Sequence, residues 1–296
     1  MKRYGIIIFL LCLCVSGCSE VEIPLAEPDI VIEGWIEEGR HPIVIVTTSV
    51  SATSKYQDWD VLYDCIVRWA RVTVSDGDES VILTGKFSKT HFPPYVYTTS
   101  RIVGEAGKTY TLTVEYEDHV EHAVTTIPGR VPLEYIKVVE TEDDAYKIVA
   151  GLKDDPETRD YYRFFTKVEG MDSTYVPSFL GLVDDALLDD RVNEIDVNSA
   201  FVANFGTVQR SPMAYLEDDV VHVRFSAMDE ASFAYWSDYD DLTTLAANPF
   251  FPVHKKIRSN VSSGMGYWAG YGSSYYTVSI ADSLALGRVW PSVSLR

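Results

Sequence analysis

Short runs in which apolar and polar residues alternate recur along the first half of the chain. They are IVIEGWI from Ile30, IVIVTTSV from Ile43, IVRWARVTV from Ile66, SVILTG from Ser80, YVYTTS from Tyr95, TYTLTVEY from Thr109 and VEHAVTT from Val120. Successive side chains of an extended chain point to opposite faces, so a period of two marks a strand with one buried face. Seven such runs, spaced by turn residues, predict an Ig-like or fibronectin-like antiparallel β-sandwich over residues 30–128. Asp76-Gly77 between two of the runs predicts a hairpin, because Asp-Gly supplies the positive φ angles of a tight primed turn. In Gly107–Val114 the alternation sets Tyr110, Leu112 and Val114 on one face, as in the penultimate strand of such modules.

At Ile127-Pro128-Gly129-Arg130-Val131-Pro132, two prolines and a glycine interrupt the pattern. A chain of 296 residues also exceeds the usual size of one domain, about 100–150 residues. A second domain is therefore expected over 133–296. Its strands are read at Tyr135–Glu140, Tyr146–Leu152, Tyr161–Glu169 and Val220–Ser226, with a long polar stretch before the last. A helix follows, capped by Asp229, with Phe233, Trp236, Leu242 and Leu245 at near-helical spacing and Asn248-Pro249 at its end. The expected fold is mainly β, a sandwich followed by a β-rich α+β unit with one prominent helix.

The N-terminus follows a different pattern: Lys2 and Arg3, an apolar run from Ile6 to Val15, then Ser16-Gly17-Cys18. Such a run is too short for a bilayer core of about 30 Å, which needs roughly twenty helical residues. It predicts an export signal over residues 1–17. The basic, apolar, small, Cys order resembles the bacterial lipobox and makes Cys18 the expected lipid anchor, stable when it carries more than one acyl chain. Residues 18–29 contain four acids, two prolines and no base, which suits an extended tether. Acids behind a lipidated cysteine also resemble a signal for the outer leaflet, so a lipid-anchored protein on the extracellular face of the outer membrane is expected. Cys12 and Cys14 would leave with the signal, and the remaining Cys65 is read as a packed strand residue.

Charge narrows the partners. The chain carries -19, or -21 without Lys2 and Arg3, and so strong an excess of acid repels phosphate backbones, arguing against nucleic acid. Catalytic and metal signals fail on spacing. His119-Val120-Glu121-His122 lacks the helical separation of zinc protease motifs, and on a strand its two histidines face opposite ways. Ser237-Asp238-Tyr239-Asp240-Asp241 begins like a calcium loop without its glycine and glutamate, and reads as a solvated helix face. Asp184-Asp185 and Asp189-Asp190 read as solvent-facing pairs. No nucleophile elbow, P-loop or dinucleotide fingerprint occurs. The expectation is a non-enzyme without metal or cofactor.

Two aromatic regions are candidate binding surfaces. Asn260–Val278, NVSSGMGYWAGYGSSYYTV, threads five rings through Gly264, Gly266, Gly270 and Gly272. The glycines suit bulges or close backbone approach and most of the rings read as packing between the two domains, with Trp268 and Tyr271 the ones chosen as ligand-facing. The loops Ser51–Asp64, with Tyr56 and Trp59, and Lys86–Pro94, with His91 and Phe92, form the second region, since long loops commonly carry function.

Several segments together, IVIEGWI, WARVTVSDG, GEAGKTYTLTVEY, SFAYW, NPFFP and SNVSSGMGYWAGY, resemble the Bacteroidota lipoproteins grouped as domain of unknown function 4249, over about Ile30 to Ile280. Ser262-Ser263 stand where that family usually has a glycine. The resemblance implies an accessory lipoprotein beside a TonB-dependent outer-membrane transporter, capturing a nutrient without catalysis. The alternative is a structural or adhesive surface module with no small-molecule ligand.

Overall fold

A computed structural model describes residues 29–49, 63–141, 145–200, 214–245 and 256–286. The first half contributes β1 (Ile30–Glu37), β2 (Ile43–Thr48), β3 (Arg71–Ser75), β4 (Ser80–Ile82), β5 (Thr84–Phe87), β6 (Tyr95–Thr98), β7 (Thr109–Tyr116) and β8 (His119–Thr126). The second half adds β9 (Tyr135–Glu140), β10 (Tyr146–Lys153), β11 (Tyr161–Val168), β12 (Val176–Asp184), β13 (Val192–Val197), β14 (Val220–Met228) and β15 (Met265–Ser279). Helix α1 (Glu230–Leu245) lies between β14 and β15, and the short α2 (Ile280–Leu286) follows β15. The protein is mainly β, and among the described residues no helix is long and apolar enough to cross a membrane.

One eight-stranded sheet, ordered β12-β11-β14-β15-β1-β2-β6-β5, runs through the whole molecule. Two smaller sheets, β4-β3-β7-β8 and β13-β10-β9, lie side by side against one of its faces. The first core joins Ile30, Ile32 and Ile36 of β1 and Trp268 of β15 to Val72, Leu112 and Val114 of the four-stranded sheet. The second joins Val221, Val223 and Phe225 of β14 and Tyr276 and Val278 of β15 to Ile148 and Leu152 of β10. Trp268, Tyr276 and Val278 all hold even positions on one strand, so both cores form on the same face of the large sheet.

This arrangement corrects the expected division into 30–128 and 133–296. β15 pairs in parallel with β1, from Val31↔Met265 to Glu37↔Tyr271, and antiparallel with β14 on its other side. The C-terminal strand thus completes the N-terminal sandwich, and the halves share a sheet. The Pro-Gly-Pro seam marks only the passage from one small sheet to the other. Local periodicity carries no trace of a partner more than two hundred residues away.

Other local readings change for local reasons. SVILTG bends at Leu83, sending β4 and β5 to different sheets, while Cys65 sits half-buried in a turn ahead of β3. The long polar stretch contains β12 and β13. The β3–β4 loop has four residues; Asp76 Oδ1 accepts from the Asp78 and Glu79 amides, and Gly77 takes φ +94°. The two-residue turn falls instead at Glu117-Asp118, joining Tyr116↔His119. Tyr110 accepts from the Glu105 amide at 2.9 Å and donates to the Val103 carbonyl at 3.2 Å, the upstream anchoring typical of Ig-like sandwiches.

Helix α1 starts where the sequence places its cap. Asp229 Oδ1 accepts from the Ser232 amide at 2.8 Å, and Thr125 Oγ1 donates to Asp229 Oδ2 at 2.6 Å. The Gly270 amide donates to the same Thr125 oxygen at 2.7 Å. This relay joins α1, β8 and β15, and lays the helix over the second face of the large sheet. There Phe233 and Trp236 pack with Phe165, Tyr267, Ala269 and Tyr271 in a third cluster.

A candidate ligand cavity on the open face of the shared sheet

Parity along the strands builds the site. On β1 the residues between the buried isoleucines are Glu33, Trp35 and Glu37; on β15 the odd positions Tyr267, Tyr271 and Tyr275 lie beside them, with Arg224 of β14 and Phe165 of β11 beyond. These side chains form the floor of a half-open cavity of about 560 Å³. Trp236 of α1 forms one wall, and Lys86, His91 and Phe92 approach from the β5–β6 side. Thr174 and Tyr175 complete the rim. The volume lies within the range of small-molecule sites, about 300–1,000 Å³.

Arg224 and Glu37 are the electrostatic centre of the floor. Arg224 Nη1 donates to Glu37 Oε1 at 2.7 Å, and the Tyr275 hydroxyl donates to Glu37 Oε2. Arg40 lies 3.7 Å from that carboxylate and stacks over the Tyr275 ring at 4.4 Å. The Arg224 guanidinium lies 3.8 Å from the Phe165 ring centroid. Arg224 is only 8% exposed, and its buried Nε has no hydrogen-bond acceptor. A buried N–H without a partner is uncommon and costly, and Arg163 Nε, outside the cavity lining, shares the condition. Burial pushes the Tyr271 and Tyr275 phenols up, so both remain neutral donors.

Glu33, at the other end of the floor, accepts from the Tyr267 hydroxyl at 3.1 Å. Burial raises its pKa, and that hydrogen bond only partly offsets the shift. His91 stands 5.8 Å from the Trp35 ring, with Nδ1 2.7 Å from Ser88 Oγ. Burial, with Lys86 nearby, lowers its pKa and favours the neutral ring.

The predicted site residues separate. Trp268, expected to face a ligand, is 0% exposed and donates through Nε1 to the Tyr110 carbonyl at 3.0 Å. It is a sandwich core residue, because an even position on β15 faces the small sheets. Tyr271 is only 2% exposed but lines the cavity, accepting from Trp236 Nε1 at 2.8 Å. Tyr56, Trp59 and Cys18 lie outside the described residues. Glu33, Glu37 and Arg224 carried no sequence motif; their only signal was polar residues at strand positions flanked by apolar ones.

The other candidate motifs have structural duties. Glu121 turns inward and accepts from Ser262 Oγ, Ser263 N, Ser263 Oγ and Gly264 N at 2.6–2.9 Å. Asn260 accepts from the Trp268 amide at 2.9 Å and donates to the Trp268 carbonyl at 2.8 Å. The segment before β15 is thereby clasped to β8. The solvated face expected for Asp238 and Asp240 is also corrected: Asp238 is buried against Arg258, and Asp240 takes a two-point ion pair from Arg163. Asp154, Asp160 and Asp185 bring carboxylate oxygens within 4.8 Å of one another, where Tyr162 donates to Asp154 and Arg159 to Asp185.

The family model described as Domain of unknown function (DUF4249) matches residues 19–277. The chain belongs to this family. No curated protein matches it. In this DUF4249 protein the matched span takes in every cavity-lining residue from Glu33 to Tyr275, so the family region includes both the shared sheet and its open face.

Proposed function

We propose that this protein is a lipid-anchored envelope lipoprotein of a Bacteroidota cell, non-catalytic, that captures a small ligand for a TonB-dependent outer-membrane transporter. The observation that carries the reading is the cavity over β1, β15 and β14, where aromatic walls surround a few convergent polar groups. Concave, mostly apolar sites with a small number of placed polar groups are the usual form of a ligand pocket. The anchor at Cys18 and the outward-facing address rest on the N-terminal sequence, and the transporter on the family resemblance. Phosphate-rich partners fit poorly with a net charge of -19.

The adhesive alternative draws on one surface feature, Trp69 at 90% exposure with Phe87 also exposed. Two experiments test the proposal. The purified protein is melted with and without a low-molecular-mass extract of its host's growth medium, and a rise in Tm is expected from ligand linkage. The tagged lipoprotein is also captured from detergent-solubilised envelope, and a barrel transporter is expected in the eluate. No shift and no barrel would favour the adhesive reading.

A further inference from the structure

The charges lining the cavity are opposite in balance to those of the chain. Arg40, Lys86 and Arg224 line it against Glu33 and Glu37, an excess of one positive charge on a protein whose formal charge is -19. The excess sits where it acts most strongly, because a concave site with low-dielectric walls focuses the field of the groups inside it. Glu37 is already engaged by Arg224, Tyr275 and Arg40. Arg224 gives that carboxylate one hydrogen bond, from Nη1, and its side chain still lines the cavity. Asp240 and Asp238 of α1 are committed to Arg163 and Arg258.

The walls specify the rest of the ligand. Trp35 and Tyr175 are the half-buried rings of the lining, while Phe165 and Tyr271, almost fully buried, back the arginine. Such faces suit a flat body, and ring contacts add about 0.5–1.5 kcal/mol beyond the area they bury. A planar fork such as a guanidinium matches a carboxylate better than a point charge does.

We infer that the cavity takes a small organic carboxylate with a flat apolar body, its anionic end toward Arg224 and Arg40, which meet at Glu37, and its ring toward Trp35 and Tyr175. This rests on the ligand-capture reading and adds the chemical class of the ligand.

One skeleton in three charge states tests it. 3-Phenylpropionate, 3-phenylpropionamide and 3-phenylpropylamine are titrated into the full chain, followed by calorimetry and by tryptophan fluorescence, since Trp35 and Trp236 line the cavity. The carboxylate is expected to bind at least tenfold tighter than the amide, with the amine weakest. Arg40→Gln, at an exposed side chain beside Glu37, should weaken the carboxylate at least threefold, Lys86→Gln on the distant edge strand should weaken it less, and both should leave the amide unchanged. Arg224→Gln, checked for folding by its melting curve, should remove the preference for the anion. An amide or amine that binds as tightly as the acid would overturn the charge assignment and leave the cavity as a ligand site. If none of the three binds while the medium extract still raises Tm, the ligand class is wrong and the capture reading survives. If neither binds, both fall.

Discussion

Arg224 Nη1 lies 2.7 Å from Glu37 Oε1, an ion pair that reaches from β14 to β1 across the strand between them. Both residues are buried, so the pair fastens the two halves of the shared sheet at the floor of the cavity. Breaking a buried pair by removing one partner leaves a charge without compensation and costs about 3–5 kcal/mol, whereas replacing both with apolar residues is often neutral. Glu37→Ala is therefore expected to destabilise the protein by about that amount in denaturant unfolding, and Glu37→Met with Arg224→Met to recover most of it. Equal, additive losses would show that the two side chains do not act as a unit.

Glu33 predicts a pH effect. Its folded-state pKa is raised by burial, so the native state holds its proton more tightly than the unfolded chain does. The penalty is absent below the ordinary value of 4.5, grows as the pH rises through the raised value, and is complete above it. Glu33→Gln should raise Tm at pH 7, and the gain should disappear below pH 4.5. A gain independent of pH would mean that ionisation of Glu33 is not its source.

Glu121 has the opposite sign. Burial pushes its pKa up, but hydrogen bonds from Ser263, Ser262 and Gly264 outweigh that and hold it below 4.5. The stabilisation is present above that value and is lost as pH falls through the folded-state value. Glu121→Ala, which strips the acceptor from four donors, is expected to cost about 2–4 kcal/mol at pH 7. The difference from wild type should narrow in acid, as read from unfolding midpoints across pH.

Two glycines should behave differently. A Cβ at Gly266 would lie 1.8 Å from the Ile32 carbonyl oxygen, and the residue takes φ +112°. Gly77 takes φ +94° with nothing within 4 Å of the added atom. Gly77→Ala should cost only the backbone strain, about 1–2 kcal/mol. Gly266→Ala must also part β15 from β1, and a loss above about 3 kcal/mol is expected. Similar losses at both sites would contradict the close pairing of β1 and β15.

Much of the fold was legible because a period of two survives in single strands. β1, β3, β7 and β8 keep their alternation, β2, β10 and β14 were found as apolar runs buried on both faces, and the cap at Asp229 follows from residue type. β13 was missed because its outward residues are polar or charged and its buried ones sparse, as in VNEIDV, and β12 because it inverts the usual pattern, burying Ser178 and exposing Leu180. The pairing of β1 with β15 is a long-range choice that no window can contain. The site was half legible. Reading the glycines of Asn260–Val278 as bulges hid that Met265–Ser279 is one continuous strand, on which parity alone separates Trp268, in the core, from Tyr271, at the cavity. Arg224 was read only as part of the Val220–Ser226 strand and Glu37 lies just past IVIEGWI, and the strands that bring them together are far apart in the sequence.

The central claim is that the open face of the shared sheet is a ligand site, and blocking it tests that most directly. Thr174 sits on the cavity rim in a loop, so Thr174→Trp fills the mouth without touching the floor. Melting curves of wild type and Thr174→Trp are compared with and without the low-molecular-mass medium extract. The account predicts that the extract raises Tm of the wild type and leaves that of Thr174→Trp unmoved. Equal shifts in the two proteins, or none in the wild type, would contradict it.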